Sequence, residues 1–146
     1  MPPHTRSTGS IRRVAVGHRT LMAWRLLSAL SLLVMGAIHL YLVFDGVGGT
    51  LGKLFVLNVA GALVLAIAII VLRGRLLPLA AVLSLLFMAG TLLALVLALT
   101  VGLFGIHEVL SFTLVPTTLA VESIGTIILA VTVALALRSR RAPDHA

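Results

Sequence analysis

Residues 54 to 101 read "LFVLNVAGALVLAIAIIVLRGRLLPLAAVLSLLFMAGTLLALVLALTV", two apolar runs interrupted only by Arg73, Gly74 and Arg75. Each run, 54 to 72 and 76 to about 101, is long enough at about 1.5 Å per residue to cross a hydrocarbon core about 30 Å thick. Three residues between them leave one solution, an antiparallel helical hairpin. Working outward, a further apolar run lies on each side, at about 24 to 44 and about 116 to 137. The chain therefore predicts an all-α fold, a transmembrane four-helix bundle of up-down-up-down topology. Residues 21 to 138 form the membrane domain, 1 to 20 a mobile basic tail bearing proline and glycine, and 139 to 146 a short second tail.

Composition agrees. Of 146 residues, 60% are hydrophobic and 10% charged, which places the chain in the membrane class before any motif is considered. The absence of cysteine excludes disulfides, thiolate metal sites and cysteine nucleophiles. A cleaved signal peptide fits the N-terminus less well than a first span, because the basic lead is long and no small-x-small site follows the apolar run.

The net charge of +7 is informative through its placement. Arg6, Arg12, Arg13, Arg19 and Arg25 precede the first span, Arg73 and Arg75 separate the second and third, and Arg138, Arg140 and Arg141 follow the fourth; only Lys53 lies elsewhere. Basic residues in alternate connections follow the positive-inside rule and predict a multi-pass protein of the bacterial plasma membrane with both termini cytoplasmic. No aromatic platform is interleaved with the arginines, so the partner is the lipid bilayer and not nucleic acid. Trp24 and Tyr41 suit interfacial anchoring at the two ends of span 1. Pro116 suits the start or a kink of span 4, leaving residues 106 to 115 as an outer connection that either lies in the interface or extends the span.

Against this background "GAIHLYLVFDGVGG", residues 36 to 49, sets an ionisable ring in hydrocarbon. Depth gives it company. His39 is 13 residues from Leu26, Asn58 is 14 from Leu72, Thr91 is 15 from Leu76 and Glu122 is 15 from Leu137. All four thus lie about 20 to 23 Å from the arginine-marked boundary, one polar group per helix at one level of the outer leaflet. Small residues give a direction, since helices in lipid approach through them. Glu122 continues Thr126, Ala130 and Ala134; Asn58 lies beside Gly61 and Ala62; Thr91 neighbours Gly90, Ala94 and Ala98; His39 has Gly36 one turn away. On this pattern Ala130 and Gly90 face partner helices and Leu129 faces lipid. His39 is then satisfied inside the bundle by Glu122 and Asn58, and the four residues form either a proton or small-ligand site or a register-fixing polar contact. Asp45, His107 and Glu108, on the outer connections, form either a vestibule or solvated loops.

Other chemistry fits less well. Haem would require axial ligands at one level, and the available pair, His39 and Met88, relies on a methionine at helical packing spacing. A zinc or copper site would need His39, His107, Glu108 and Glu122 to converge without a thiolate or a same-helix ligand pair. Ser111 and Ser123 lack a base with its orienting acid. The glycines of residues 45 to 52 follow no strand and lead to no GKS ending, so they suit a tight turn and not a phosphate cradle. No metal, cofactor or catalytic constellation is expected.

Residues 36 to 58, "GAIHLYLVFDGVGGTLGKLFVLN", and 102 to 108, "GLFGIHE", together with Glu122, resemble an uncharacterised actinobacterial family of small four-span integral membrane proteins. The resemblance covers about two-thirds of the chain through its HLxL and GLFGxxE elements, and departs where "DGVGG" replaces a Gly-Tyr-Arg after the first span. It implies a plasma-membrane protein and supplies no substrate. The reading that follows is a non-enzymatic membrane protein that binds a small ligand or proton at its polar layer. The alternatives are an accessory or assembly subunit packed on a membrane-protein partner or on a second copy, and, third, a small membrane redox protein.

Overall fold

The computed structural model describes residues 8 to 102 and 114 to 141, with side chains from 19 to 102 and 114 to 139. Four helices follow in order: α1 (Thr8–Phe44), α2 (Gly49–Val71), α3 (Leu76–Thr100) and α4 (Val115–Arg141). All four are long and apolar enough to cross a membrane. The chain is a four-helix integral membrane bundle. Within it α1 packs on α2 and α4, and α3 packs on α4 and, least extensively, on α2.

The helix ends explain the boundaries. After Phe44 the amide of Val47 bonds the carbonyl of Leu42 (3.1 Å) and that of Gly46 bonds Val43 (3.3 Å), with Gly46 at φ +101°. This is a Schellman ending, and the left-handed residue it requires is the glycine supplied by the sequence. The glycines of residues 45 to 52 thus make the expected tight turn. At the other end of α2, Leu72 turns extended, Gly74 takes φ +57°, and the amide of Leu76 bonds the carbonyl of Arg73 at 3.3 Å, closing the hairpin within three residues. Pro78 falls in the first turn of α3 and Pro116 in the first turn of α4, where a missing amide costs no intrahelical bond.

One boundary differs from the sequence reading, and one expected connection lies almost wholly outside the described residues. The tail expected over residues 1 to 20 is helical from Thr8, so that α1 continues well beyond the apolar run. Pro2 and Pro3 lie upstream, and between Thr8 and Thr20 only Gly9 and Gly17 weaken a helix that no proline interrupts. Of the connection at 106 to 115, only Leu114 and Val115 are among the described residues.

The interior is unlike that of a water-soluble bundle. Leu57, Val64, Leu86 and Ile127 are exposed, and Phe44 is 81% exposed, whereas Arg25, Ser28, His39, Ser84, Thr118, Glu122 and Thr132 are buried. Leucines outside and hydroxyls inside are the arrangement expected when lipid, and not water, surrounds the protein. The buried positions advance by alternating steps of three and four: Ser28, Leu32, Met35 and His39 on α1; Leu77, Ala81, Ser84 and Met88 on α3; Thr118, Glu122, Gly125, Leu129, Thr132 and Ala136 on α4. That spacing keeps one stripe facing the neighbouring helices.

The stripe corrects the small-residue faces drawn from steps of four. Ala130, Ala134 and Gly90 are exposed, and a Cβ at Gly90 would meet nothing within 4 Å, while Leu129 is fully enclosed in the core. A step of four turns about 400° on a helix of 3.6 residues per turn, so each step drifts about 40° and three steps leave the face. The close approaches are elsewhere. A Cβ at Gly125 would lie 2.9 Å from Met88 Cε, one at Gly61 would lie 2.8 Å from the Phe87 ring, and one at Gly36 would lie 3.2 Å from Ala62 Cβ. Gly36 and Gly61 were expected to border close contacts; Gly125 was not.

Candidate functional site

The four residues of the expected layer meet different fates. Glu122 reaches the core on the α4 stripe and is 1% exposed. Its carboxyl lies near the Thr91 hydroxyl of α3, and among the described residues its buried Oε2 has no hydrogen-bond partner. Thr91, half-buried, donates to the Met88 carbonyl at 2.8 Å and lies 3.3 Å from Met35 Sδ on α1. Thr91, Met35 and Glu122 thus bring α3, α1 and α4 together at one depth.

His39 is 6% exposed, but its partner is not Glu122. Its Nδ1 lies 2.9 Å from the Met35 carbonyl one turn back on α1. A carbonyl can only accept, so Nδ1 donates, and among the described residues Nε2 makes no hydrogen bond. The Phe55 ring of α2 stands against the imidazole at 4.8 Å, edge to face. Among the described residues His39 makes no ion pair and no hydrogen bond to Glu122 or Asn58. The expectation that these two satisfy it is therefore corrected: the backbone of its own helix does so, since the free carbonyl lone pair one turn away needs no second helix to be in register. Asn58, on α2, is only half-buried, and its Oδ1 is enclosed without a partner among the described residues. Thr126 bonds the Glu122 carbonyl of its own helix at 2.7 Å.

Met35 is the residue that sequence reasoning missed here. Its carbonyl accepts from His39 and its sulfur faces Thr91, so that it stands between the two polar groups. Its place on the three-and-four stripe was the available signal. Met88 is fully buried, with its thioether against Gly125 and near Ser31, which is a packing position. Among the described residues no three His, Asp or Glu side chains gather as a metal site. Asp45 is exposed in the turn after α1, whereas His107 and Glu108 lie outside the described residues, as does Ser111.

A second polar cluster occupies the end that bears the arginines, called here the basic end. Arg25 is 6% exposed and spans from α1 to the last turn of α2. Its Nε donates to the Ile69 carbonyl (2.8 Å), and its Nη2 to those of Ile70 (2.6 Å) and Leu72 (2.9 Å). The last carbonyls of a helix have no intrahelical donor, and a cation also suits the negative end of its dipole. One turn further in, the Thr132 hydroxyl lies 3.0 Å from the Ile128 carbonyl and 3.2 Å from that of Trp24. Its single proton is committed to these acceptors, so Ser28, 2.8 Å away, donates to Thr132. The sequence reading used Arg25 only as a marker of topology and passed over Ser28 and Thr132.

Compared with protein-family models, with curated proteins and with solved structures, the chain matches none.

Proposed function

We propose that this integral membrane protein belongs to the bacterial plasma membrane of actinobacteria, has both termini in the cytoplasm, and binds a proton or a small hydrogen-bond-donating ligand at Glu122. The observation that supports the reading is a carboxyl enclosed in the bundle that, among the described residues, has one oxygen unpartnered and no cation in contact. Intramembrane ionisable residues are costly and serve pathways and ligand sites more often than packing. The neighbouring hydroxyl adds chemistry. Thr91 has one proton and three acceptors around it: Met88 O, Met35 Sδ and the carboxyl. A proton delivered to Glu122 resolves the competition, because the acid then donates to Thr91 Oγ1 while Thr91 donates to Met88 O. Asn58, on α2, keeps an enclosed Oδ1 of its own without a donor among the described residues.

The test is infrared titration of the protein in lipid nanodiscs. A protonated carboxyl band that disappears on alkaline titration and is missing in Glu122→Gln supports proton binding. Native mass spectrometry of the same preparation reads a bound small molecule. A wild-type spectrum identical to that of Glu122→Gln across the titration, with no bound molecule, rejects the reading.

One observation favours the subunit alternative. Ala130 and Ala134 are exposed on α4, leaving a small-residue face on which another membrane helix can pack. Co-purification of a larger membrane protein in mild detergent, lost in Ala130→Leu, supports that alternative; retention of the same partner by the variant removes this face from it.

A further inference from the structure

Among the described side chains every arginine lies at one end of the bundle, and Lys53 alone of the basic residues lies at the other. The basic end carries Arg19 and Arg25 on α1, Arg73 and Arg75 in the hairpin turn and Arg138 on α4. The only acids among the described residues are Asp45, in the opposite turn, and Glu122, in the core. The basic end therefore has no carboxylate from the described chain to oppose it.

Within this end Arg25 and Arg73 form a specific pair. The Arg25 guanidinium is immobilised by three carbonyl bonds made through Nε and Nη2, while Nη1 takes no part in them. Arg73, exposed in the turn immediately after α2, directly follows Leu72, whose carbonyl Arg25 bonds at 2.9 Å, so the two charges share one corner of the bundle. Two like charges held near one another, one of them rigidly, are unfavourable unless an anion lies between them. The helix end partly neutralises Arg25 through its carbonyls but offers nothing to Arg73. Arg75 follows two residues later, exposed on the same short turn.

We infer that Arg25, Arg73 and Arg75 form a binding site for the phosphate headgroup of an anionic phospholipid, with Arg25 as its fixed donor and the two turn arginines closing over it. The placement fits a lipid and not merely an ion. All three residues sit at the junction between apolar helix and polar turn, where lipid phosphates lie, and exposed Val71 and Leu76 flank the turn and face the acyl region. A planar guanidinium presents paired N–H groups to phosphate oxygens, and pre-ordering by the carbonyl bonds lowers the entropy lost on binding.

The test leaves Arg25 in place, because its removal would also uncap α2. The full-length protein is purified in mild detergent and titrated separately with phosphatidylglycerol, phosphatidylcholine and inorganic phosphate, with bound lipid counted by native mass spectrometry and thermal stability followed in parallel. Phosphatidylglycerol is expected to be retained and to raise the melting temperature, while phosphatidylcholine and inorganic phosphate do neither. Arg73→Gln with Arg75→Gln should melt as wild type does in phosphatidylcholine yet bind phosphatidylglycerol roughly thirtyfold more weakly, as expected for two interfacial charges. Arg138→Gln, on the far helix of the same end, should retain wild-type affinity. Equal retention of the two lipids, an equal loss in Arg138→Gln, or a stabilisation reproduced by inorganic phosphate would each overturn the site.

Discussion

Two polar clusters share one bundle and differ in completeness. At the basic end the donors of Arg25, Ser28 and Thr132 all reach acceptors: Arg25 the end of α2, Ser28 the Thr132 hydroxyl of α4, and Thr132 the Ile128 carbonyl of its own helix and the Trp24 carbonyl of α1. Toward the other end His39 turns back on its own helix, Asn58 and Glu122 each keep an enclosed oxygen without a donor, and Thr91 is contested. Buried polar groups in hydrocarbon are costly when left open. A cluster whose donors all find acceptors, and which ties α1 to both α2 and α4, is a fastener. One that leaves acceptors open inside an otherwise well-packed core is a place for something else to bind.

The largest test of this difference is Arg25→Ala. It strips three carbonyls at the end of α2 of their donor and should destabilise the protein by about 3 kcal/mol, taking hydrogen bonds to a charged group as the guide. Thermal unfolding in mild detergent, followed by circular dichroism, measures it. A loss no greater than that of an exposed-site control such as Leu86→Ala would mean that the closed cluster fastens nothing.

Next comes the packing between the clusters. Gly125→Val drives a side chain into Met88 and Ser31 and should cost about 1 to 3 kcal/mol as overpacking. Gly90→Leu, on the open face, should stay within about 0.5 kcal/mol of wild type. Reversal of that order in the same melts would relocate the helix faces and with them both clusters.

A smaller effect sharpens the comparison directly. Ser28→Ala and Thr132→Ala, combined in a double-mutant cycle, should couple by about 0.6 kcal/mol and by no more than about 1.7, the range of buried interhelical hydrogen bonds in membranes. The smallest effect belongs to the open cluster. His39→Gln and Glu122→Gln share no bond, so their stability changes should add to within about 0.5 kcal/mol. A coupling above that of the Ser28 and Thr132 pair would show that the two ionisable residues meet, and the distinction between the clusters would fail.

The sequence made depth legible and left direction obscure. Counting residues from the arginine-marked ends brought Thr91 and Glu122 to one level because helical rise is nearly constant, whatever the helices pack against. Direction depends on accumulated rotation, and the runs of alanine at steps of four on α4 drift off the buried face that Leu129 and Gly125 occupy. Partners were least legible of all. Nothing in the residue type of Arg25 or His39 tells that each bonds a backbone carbonyl, since carbonyls occur at every position and only helix ends and free lone pairs make some available. The boundary at Thr8 was missed for a related reason: polar composition was read as the end of a helix whose backbone has no proline to stop it.

The Arg25 clasp also bears on biogenesis. Every atom it requires has been synthesised once Leu72 leaves the ribosome, because the guanidinium belongs to the first helix and its three carbonyls to the end of the second. The first two helices can lock as a unit before the third emerges, whereas Ser28 must wait more than a hundred residues of chain for Thr132. In chain order α4 is the last helix to join, and it brings both Thr132 and Glu122 to the bundle.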